Sequence, residues 1–144
     1  MQIVTTGTVV VSAHIENQAD LTMADRGLLP KEDVRTIEVP DALVDTGAKL
    51  LSLPRRIVAQ LGLKRHRSRT ARTAAGTVSF GIYEPVRLTV QGRDCIVEVA
   101  EIPDECPVLI GQIPVELLDF VVDPSGWKLV GNPDHGGEQM IDMF

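Results

Sequence analysis

Residues that favour extended backbone dominate the apolar part of this sequence. Val, Ile and Thr together supply 38 of the 144 residues, whereas aromatic residues make up only 3%. β-branched side chains lose rotamer freedom in helices and pack well on a pleated surface, so this composition favours strands. We therefore predict an all-β protein whose core is built from aliphatic side chains.

Length and charge define the broad class. A chain of 144 residues suits one domain, taken here as residues 1–144. The 14 Lys and Arg and the 20 Asp and Glu give a net charge of −6, which argues against nonspecific binding to nucleic acid or anionic membranes. No apolar run approaches the roughly 18 residues of a membrane-spanning helix, and the first residues lack a basic segment followed by an apolar one. We expect a cytoplasmic protein that binds neither nucleic acid nor membrane.

Nothing in the pattern of cysteines and histidines indicates a metal or a cofactor. Cys95 and Cys106 are the only cysteines, and their spacing, like that of the three histidines, matches no zinc motif. The sequence also lacks a phosphate-binding loop and a dinucleotide fingerprint. We expect two reduced thiols, no metal and no cofactor.

Alternating apolar residues divide the chain into short strands separated by turn residues. The predicted strands are 7–15, 34–39 (ended by Pro40), 42–44, 65–78 with a turn at 74–76, 78–82, 86–90, 95–99, 108–111, 121–122 and 127–130. The polar residues 17–30 predict a loop. Helices are predicted at 54–61, with Gly62 as a left-handed cap, and at 114–118. Trp127 and Cys95 are predicted to lie in the core and His135 in a loop.

One carboxylate, Asp45, directly follows the predicted buried strand 42–44 and begins a turn of small residues. A carboxylate at the end of an apolar strand is partly desolvated and needs hydrogen bonds. Thr46 and Gly47 offer a hydroxyl and backbone N–H groups as donors. Because Gly47 has no Cβ, a second chain or a substrate could approach closely there.

These residues resemble the retroviral-type aspartic proteases and their bacterial relatives in the pepsin clan. Three features match in order: the run from Asp45 to Ala48 after apolar residues, the glycine turn 74–76 at the flap position, and the apolar segment 108–111 before a short helix. The resemblance spans residues 34–129. Segments 53–54, 61–63 and 121–124 are especially similar to the bacterial branch.

The resemblance implies a retropepsin-like closed β-barrel with one or two short helices, and an endopeptidase in which two aspartates share a proton and activate water. The sequence contains a single Asp-Thr/Ser-Gly triplet, so a second copy must supply the other aspartate. The implied protein is a homodimer that cleaves a peptide or protein substrate, with Asp45 of each chain on the two-fold axis. The implied supporting residues are Thr46, Gly47 and Ala48 as the active-site frame, Ala74, Ala75, Gly76 and Thr77 as the substrate-binding flap, and Leu109, Ile110 and Gly111 beneath the active site.

Two departures from the family pattern keep a second hypothesis open. Gln112 stands where retroviral enzymes carry Arg, and Lys49, Leu50 and Leu51 follow the motif where those enzymes carry acidic residues. The ion pair that these groups would form to brace the dimer is therefore missing. The alternative is a catalytically silent module of the same fold that dimerises or binds peptides. In the homodimeric protease, the apolar C-terminus, 140–144, would pair with the partner as an interface strand.

A basic cluster lies on the first strand of the proposed flap, and consists of Lys64, Arg65, Arg67, Arg69 and Arg72 with His66. Four interpretations are open: a solvated outer face that protects a sheet edge, a contact for an acidic substrate or partner, a self-cleavage site, and an RNA contact. The scarcity of aromatic residues argues against the RNA contact, because single strands are bound by stacking on several rings.

Overall fold

Residues 9–141 are described by the computed structural model, and most of its strands join one sheet. The strands are β1 Val9–Asn17, β2 Thr36–Val44, β3 Leu51–Pro54, β4 Arg65–Thr73, β5 Gly76–Val90, β6 Arg93–Ile102, β7 Leu109–Ile110, β8 Phe120–Asp123 and β9 Lys128–Gly131. The helices are α1 Gln18–Asp25, α2 Arg55–Gln60 and α3 Gln112–Leu117, with 3-10 turns at Lys31–Asp33 and Pro133–His135. Within these bounds no helix is long and apolar enough to cross a membrane.

The main sheet closes into a ring. Its seven strands run in the order β1-β2-β7-β3-β6-β5-β4, and β1 also pairs with β5, so that β4 extends outward as an edge strand. Strands β8 and β9 form a separate hairpin. The prediction of a mostly β protein with a few short helices is confirmed, and its sheet is ring-like. The closed barrel and the homodimer stay predictions.

The ring encloses an aliphatic core. Alternate side chains of β1 are buried, from Val9 to Ile15, and they pack against buried residues of β2, β3, β5 and β6. Phe120 is the only aromatic side chain in the core of the described chain. Each fully buried Leu or Ile contributes roughly 1.5–3 kcal/mol to folding relative to an exposed one. The stability of this core therefore comes from many buried aliphatic side chains and not from large aromatic ones.

The predicted loop at 17–30 is wrong for residues 18–25, which form α1, and is confirmed for residues 26–30. The Asn17 side chain accepts a hydrogen bond from the Asp20 N–H (3.1 Å) and so caps the helix. Asp20 is the one buried residue of α1, and its carboxylate accepts bonds from the backbone N–H, Nε and Nη2 of Arg35. The Arg35 guanidinium lies over Gly62, where a Cβ atom would be 1.8 Å from Nη1. The helix is therefore held by an ion pair rather than by an apolar face.

Pro40 does not end a strand, as had been predicted, because β2 continues to Val44. Val11 pairs with Ala42 and Ala13 with Val39, so Pro40 and Asp41 together oppose the single residue Ser12. Such a bulge tolerates a residue without an N–H. Glu84 and Pro85 likewise oppose the single residue Glu98 in the pairing of β5 with β6, and β5 runs unbroken through two predicted strands.

The two predicted helices are confirmed with small shifts. Helix α2 begins after Pro54, and Gly62 has a φ of +66°, as expected for a left-handed cap. Helix α3 begins at Gln112, two residues before the predicted start. Strand β3 was not predicted. The predicted first strand begins at Gly7, and that residue lies outside the described part of the chain.

Three single-residue predictions have different outcomes. Trp127 is not in the core: it is 39% exposed in the turn between β8 and β9, with a φ of +48°. Cys95 packs partly buried against the core, and burial raises the pKa of its thiol to about 11. His135 lies in a 3-10 turn rather than an irregular loop, and its Nδ1 is 2.6 Å from Oδ2 of Asp119.

Candidate active site

Asp45 lies one residue beyond the end of β2, at a point where three strands meet. Strand β7 lies between β2 and β3, parallel to the first and antiparallel to the second. The backbone N–H of Asp45 continues this pairing by donating to the carbonyl oxygen of Ile110 at 2.9 Å. The loop 45–50 therefore connects β2 to β3, the two strands on either side of β7. Both ends of this loop are fixed by pairing with β7.

The first residues of the loop form a tight turn around the Asp45 carboxylate. The Gly47 N–H donates to Asp45 Oδ1 (3.0 Å), and the Ala48 N–H donates to the Asp45 carbonyl oxygen (3.0 Å). A Cβ atom on Gly47 would lie 3.1 Å from Oδ1 and would crowd that bond. Asp45 is half-buried, whereas Thr46 and Gly47 are exposed. The turn thus presents one carboxylate at the surface and fixes one of its oxygens.

Gly111 lets the start of α3 approach the backbone of the loop. Three successive N–H groups, from Gly111, Gln112 and Ile113, donate to the carbonyl oxygens of Leu50, Ala48 and Lys49 at 2.9–3.1 Å. These donors would otherwise be unsatisfied, because the first N–H groups of a helix have no partner within it. A Cβ atom on residue 111 would lie only 2.5 Å from the Leu50 oxygen. The backbone contact therefore requires glycine for its size and not for its φ, which is −83°.

A groove of about 520 Å³ opens beside the loop. One wall is the flap hairpin, defined here as β4, its turn and β5 as far as Ile82, and the other wall is formed by β3, the first residue of α2 and the end of β6. The lining residues are Lys49, Leu50, Ser52, Arg55, Ala71, Val78, Ser79, Phe80, Ala100, Glu101, Ile102 and Pro103. The groove reaches the Asp45 loop through Lys49 and Leu50, and Asp45 itself is not part of its lining.

The predicted flap residues 74–77 lie at the exposed tip of the flap hairpin. Ala74 and Ala75 form the turn, and Thr73 Oγ1 closes it by donating to the Gly76 carbonyl oxygen (2.7 Å). Gly76 has a φ of +118°, a conformation that other residues rarely adopt. Across residues 9–141, no hydrogen bond or ion pair connects this tip to Asp45. The walls of the groove come from residues nearer the base of the hairpin.

Sequence reasoning missed the polar group at the far end of the groove. The Tyr83 hydroxyl donates to Glu101 Oε2 (3.0 Å), and Arg55 Nε lies 3.8 Å from Glu101 Oε1. Burial, together with the Glu101 carboxylate, raises the pKa of Tyr83. The three residues meet because β3 pairs in parallel with β6, which sets Leu53 opposite Glu101. No local motif signals a contact between residues so far apart in sequence.

The structure shows the surroundings of Gln112 and Lys49, the residues at which the sequence departs from the retroviral pattern. The Gln112 side chain donates to Glu116 Oε1 (2.8 Å) and so bonds within α3. Lys49 is exposed, and no carboxylate of the described residues lies within 4 Å of it. Between residues 9 and 141 there is also no group of three His, Cys, Asp or Glu residues arranged to hold a metal ion.

Comparison with known families identifies the class to which this site belongs. A model of the family described as gag-polyprotein putative aspartyl protease matches residues 35–123. The match covers more than half of the chain and includes the Asp45 loop, the flap hairpin and the Gly111 segment. The chain belongs to this family of retropepsin-like proteases. No curated protein matches the chain, and its place in the bacterial branch stays a prediction.

Proposed function

We propose that this chain is an aspartic endopeptidase that acts as a homodimer, with one Asp45 contributed by each copy. The observation that carries the proposal is the Asp45 loop, which is fixed from beneath by β7 and α3 while Thr46 and Gly47 remain exposed. A rigid, surface-presented carboxylate that occurs once per chain is suited to meet its counterpart across a two-fold axis. Residues 1–144 would act as one cytoplasmic domain.

The chemistry follows from bringing two such carboxylates together. Two like charges at close range cannot both ionise, so the pair holds one proton between them, and its titration belongs to both groups. The ionised aspartate takes a proton from a water molecule, which attacks the peptide carbonyl carbon, while the protonated aspartate donates its proton to the carbonyl oxygen. When the C–N bond breaks, the first aspartate passes the proton it took from water to the leaving nitrogen. One hydroxyl of the tetrahedral intermediate returns a proton to the second aspartate, and the pair again holds one proton. In each copy the Gly47 N–H would stabilise negative charge on Oδ1, and Thr46 and Ala48 would complete the frame.

The groove supports an extended peptide as the substrate. It lies between the edge of the flap hairpin and the end of β6, where an added strand could be bound through its backbone. Its walls are mostly apolar, from Leu50, Val78, Phe80 and Ile102, and would accept an aliphatic or aromatic side chain. In this proposal residues 74–77 close over the bound peptide, and Leu109, Ile110 and Gly111 support the loop below.

A specific observation also favours the silent module. Gln112 bonds to Glu116 within its own helix, so it offers no cation to brace a dimer. The two proposals differ in whether Asp45 performs chemistry.

The deciding experiment is digestion of a proteome-derived peptide library between pH 4 and pH 8, with products read by mass spectrometry. Wild type, Asp45→Asn and the matched control Asp41→Asn are compared, since Asp41 is an exposed carboxylate of the same strand. Cleavage by wild type and Asp41→Asn alone is expected. Equal cleavage by all three, or none from a sample shown by sedimentation to be dimeric, would reject the peptidase and favour the module.

A further inference from the structure

We propose that the groove selects peptides that carry an acidic side chain within two residues of an apolar one, and that Lys49 and Arg69 bind the acidic side chain. This assignment rests on the peptidase function proposed above and names the class of its substrate. It gives a role to the basic cluster, which the proposed chemistry leaves unused.

Positive charge is concentrated beside the groove. Residues 64–83 contain five of the 14 Lys and Arg and none of the 20 Asp and Glu, although the whole chain has a net charge of −6. This segment supplies one wall of the groove. A positive wall on an otherwise acidic protein attracts acidic ligands and repels basic ones.

Most cations near the groove already have partners. Arg67 makes two bonds to Glu98, at 2.9 and 2.7 Å, and Arg65 donates to the Ser68 hydroxyl. Arg55 lies beside Glu101, the only carboxylate that lines the groove. By contrast, Lys49 and Arg69 have no carboxylate within 4 Å anywhere in residues 9–141.

Strand register places Arg69 on the groove side of the flap hairpin. Arg69 pairs with Phe80, and Ala71 pairs with Val78. Phe80, Ala71 and Val78 all line the groove. Residues directly opposite each other, and residues two apart on one strand, share a face of the sheet. Arg72 pairs with Thr77 and therefore lies on the opposite face. Two cations without a carboxylate partner in the described chain thus lie beside an apolar groove: Lys49 in its lining, and Arg69 on the groove face of the flap hairpin.

This arrangement suits a peptide better than a nucleic acid. The apolar wall residues Leu50, Val78, Ala100 and Ile102 offer no stacking surface, and Phe80 is the single aromatic side chain among the residues that line the groove. An extended peptide places side chains at intervals that would reach both the apolar wall and a cation.

The test uses peptides that wild type cleaves, resynthesised with Glu, Gln or Lys at each position flanking the apolar residue. We expect kcat/KM to be about tenfold higher for Glu than for Gln, as one charge-assisted contact provides, and lower still for Lys. Lys49→Glu and Arg69→Glu should abolish or invert this order. Arg72→Glu makes the same charge change on the other face and should leave the ratio unchanged.

The outcomes separate this inference from the function on which it rests. Asp45-dependent cleavage with equal rates for Glu and Gln peptides would overturn the inference and leave the peptidase standing. If nothing is cleaved, fluorescence anisotropy with labelled decapeptides containing Leu-Glu or Leu-Gln still tests the inference. Preferential binding of the Leu-Glu peptide that is lost in Arg69→Glu but kept in Arg72→Glu would support acid selection by the groove in a protein that is not a peptidase. Tighter binding of a single-stranded oligonucleotide, weakened equally by both Arg variants, would overturn the inference in favour of nucleic acid.

Discussion

Gly111 lies so close to the backbone of Leu50 that a Cβ atom in its place would be 2.5 Å from the Leu50 carbonyl oxygen. The obstacle is backbone and not a flexible side chain, so neither segment can yield without loss of the three hydrogen bonds that join α3 to the Asp45 loop.

We predict that Gly111→Ala lowers the free energy of unfolding by about 2–3 kcal/mol, as overpacking does elsewhere, and abolishes the proposed peptidase activity. Urea denaturation measures the first effect and peptide cleavage the second. Gly126→Ala is the matched control, because a Cβ there meets only the Lys128 side chain, which is free to move. Unchanged stability in Gly111→Ala would mean that the loop and α3 do not depend on this contact.

The Asp20–Arg35 pair should make stability depend on pH in a defined direction. Hydrogen bonds from Arg35 lower the pKa of Asp20, so the pair stabilises the fold above the unfolded aspartate pKa of about 3.9. That contribution is lost as the pH falls through the lower, folded-state pKa. Asp20→Asn should cost roughly 2 kcal/mol at pH 7, and the difference from wild type should shrink below pH 4. Urea midpoints across this range test it, with Asp25→Asn, an exposed carboxylate of the same helix, as the control.

Tyr83 provides an internal probe of the groove, because it is the only tyrosine of the chain. Burial first, and then the Glu101 carboxylate, raise its pKa above the ordinary value. Titration of the tyrosine absorbance should therefore show ionisation at a pH above that of a free tyrosine. Glu101→Gln should move the transition to lower pH without restoring the free value, since the burial remains. A transition at the free-tyrosine value in wild type would show that the hydroxyl is not held in this environment.

Asp119 should hold the segment that follows β9 against the end of α3. Its buried carboxylate accepts bonds from the Met140 N–H (3.0 Å) and Asn132 Nδ2 (3.2 Å) and contacts His135. We predict that Asp119→Ala accelerates amide hydrogen exchange at Met140 and leaves the exchange of β1 unchanged. Asp134→Ala removes a neighbouring exposed carboxylate and should have no such effect.

The sequence was informative where structure depends on local patterns. The flap hairpin, the cap at Gly62 and the helix after Pro54 each follow from neighbouring residues, and each is present. Asp45 was also selected from sequence as the candidate catalytic residue, because an acid after an apolar strand and before small residues is a local signal. Its catalytic role stays a prediction.

The errors arose where distant contacts override local preference. Helix α1 has no apolar periodicity to detect, since its one buried residue is Asp20 and its stability comes from Arg35. Pro40 and Pro85 looked like strand ends, but each lies in a bulge that only the pairing of strands defines. The groove was not predictable for the same reason: Arg55 and Glu101 become neighbours only when β3 pairs with β6.

The position of β7 between β2 and β3 has a consequence for the order of events during synthesis. The ribosome completes Asp45 and both flanking strands long before it reaches Ile110 and Gly111, yet those late residues fix the loop that carries the carboxylate. A nascent or truncated chain that ends before Gly111 lacks the support on which the proposed active site depends. We therefore expect an unfinished molecule to lack the proposed peptidase activity, because the order of the strands places this support late in the chain.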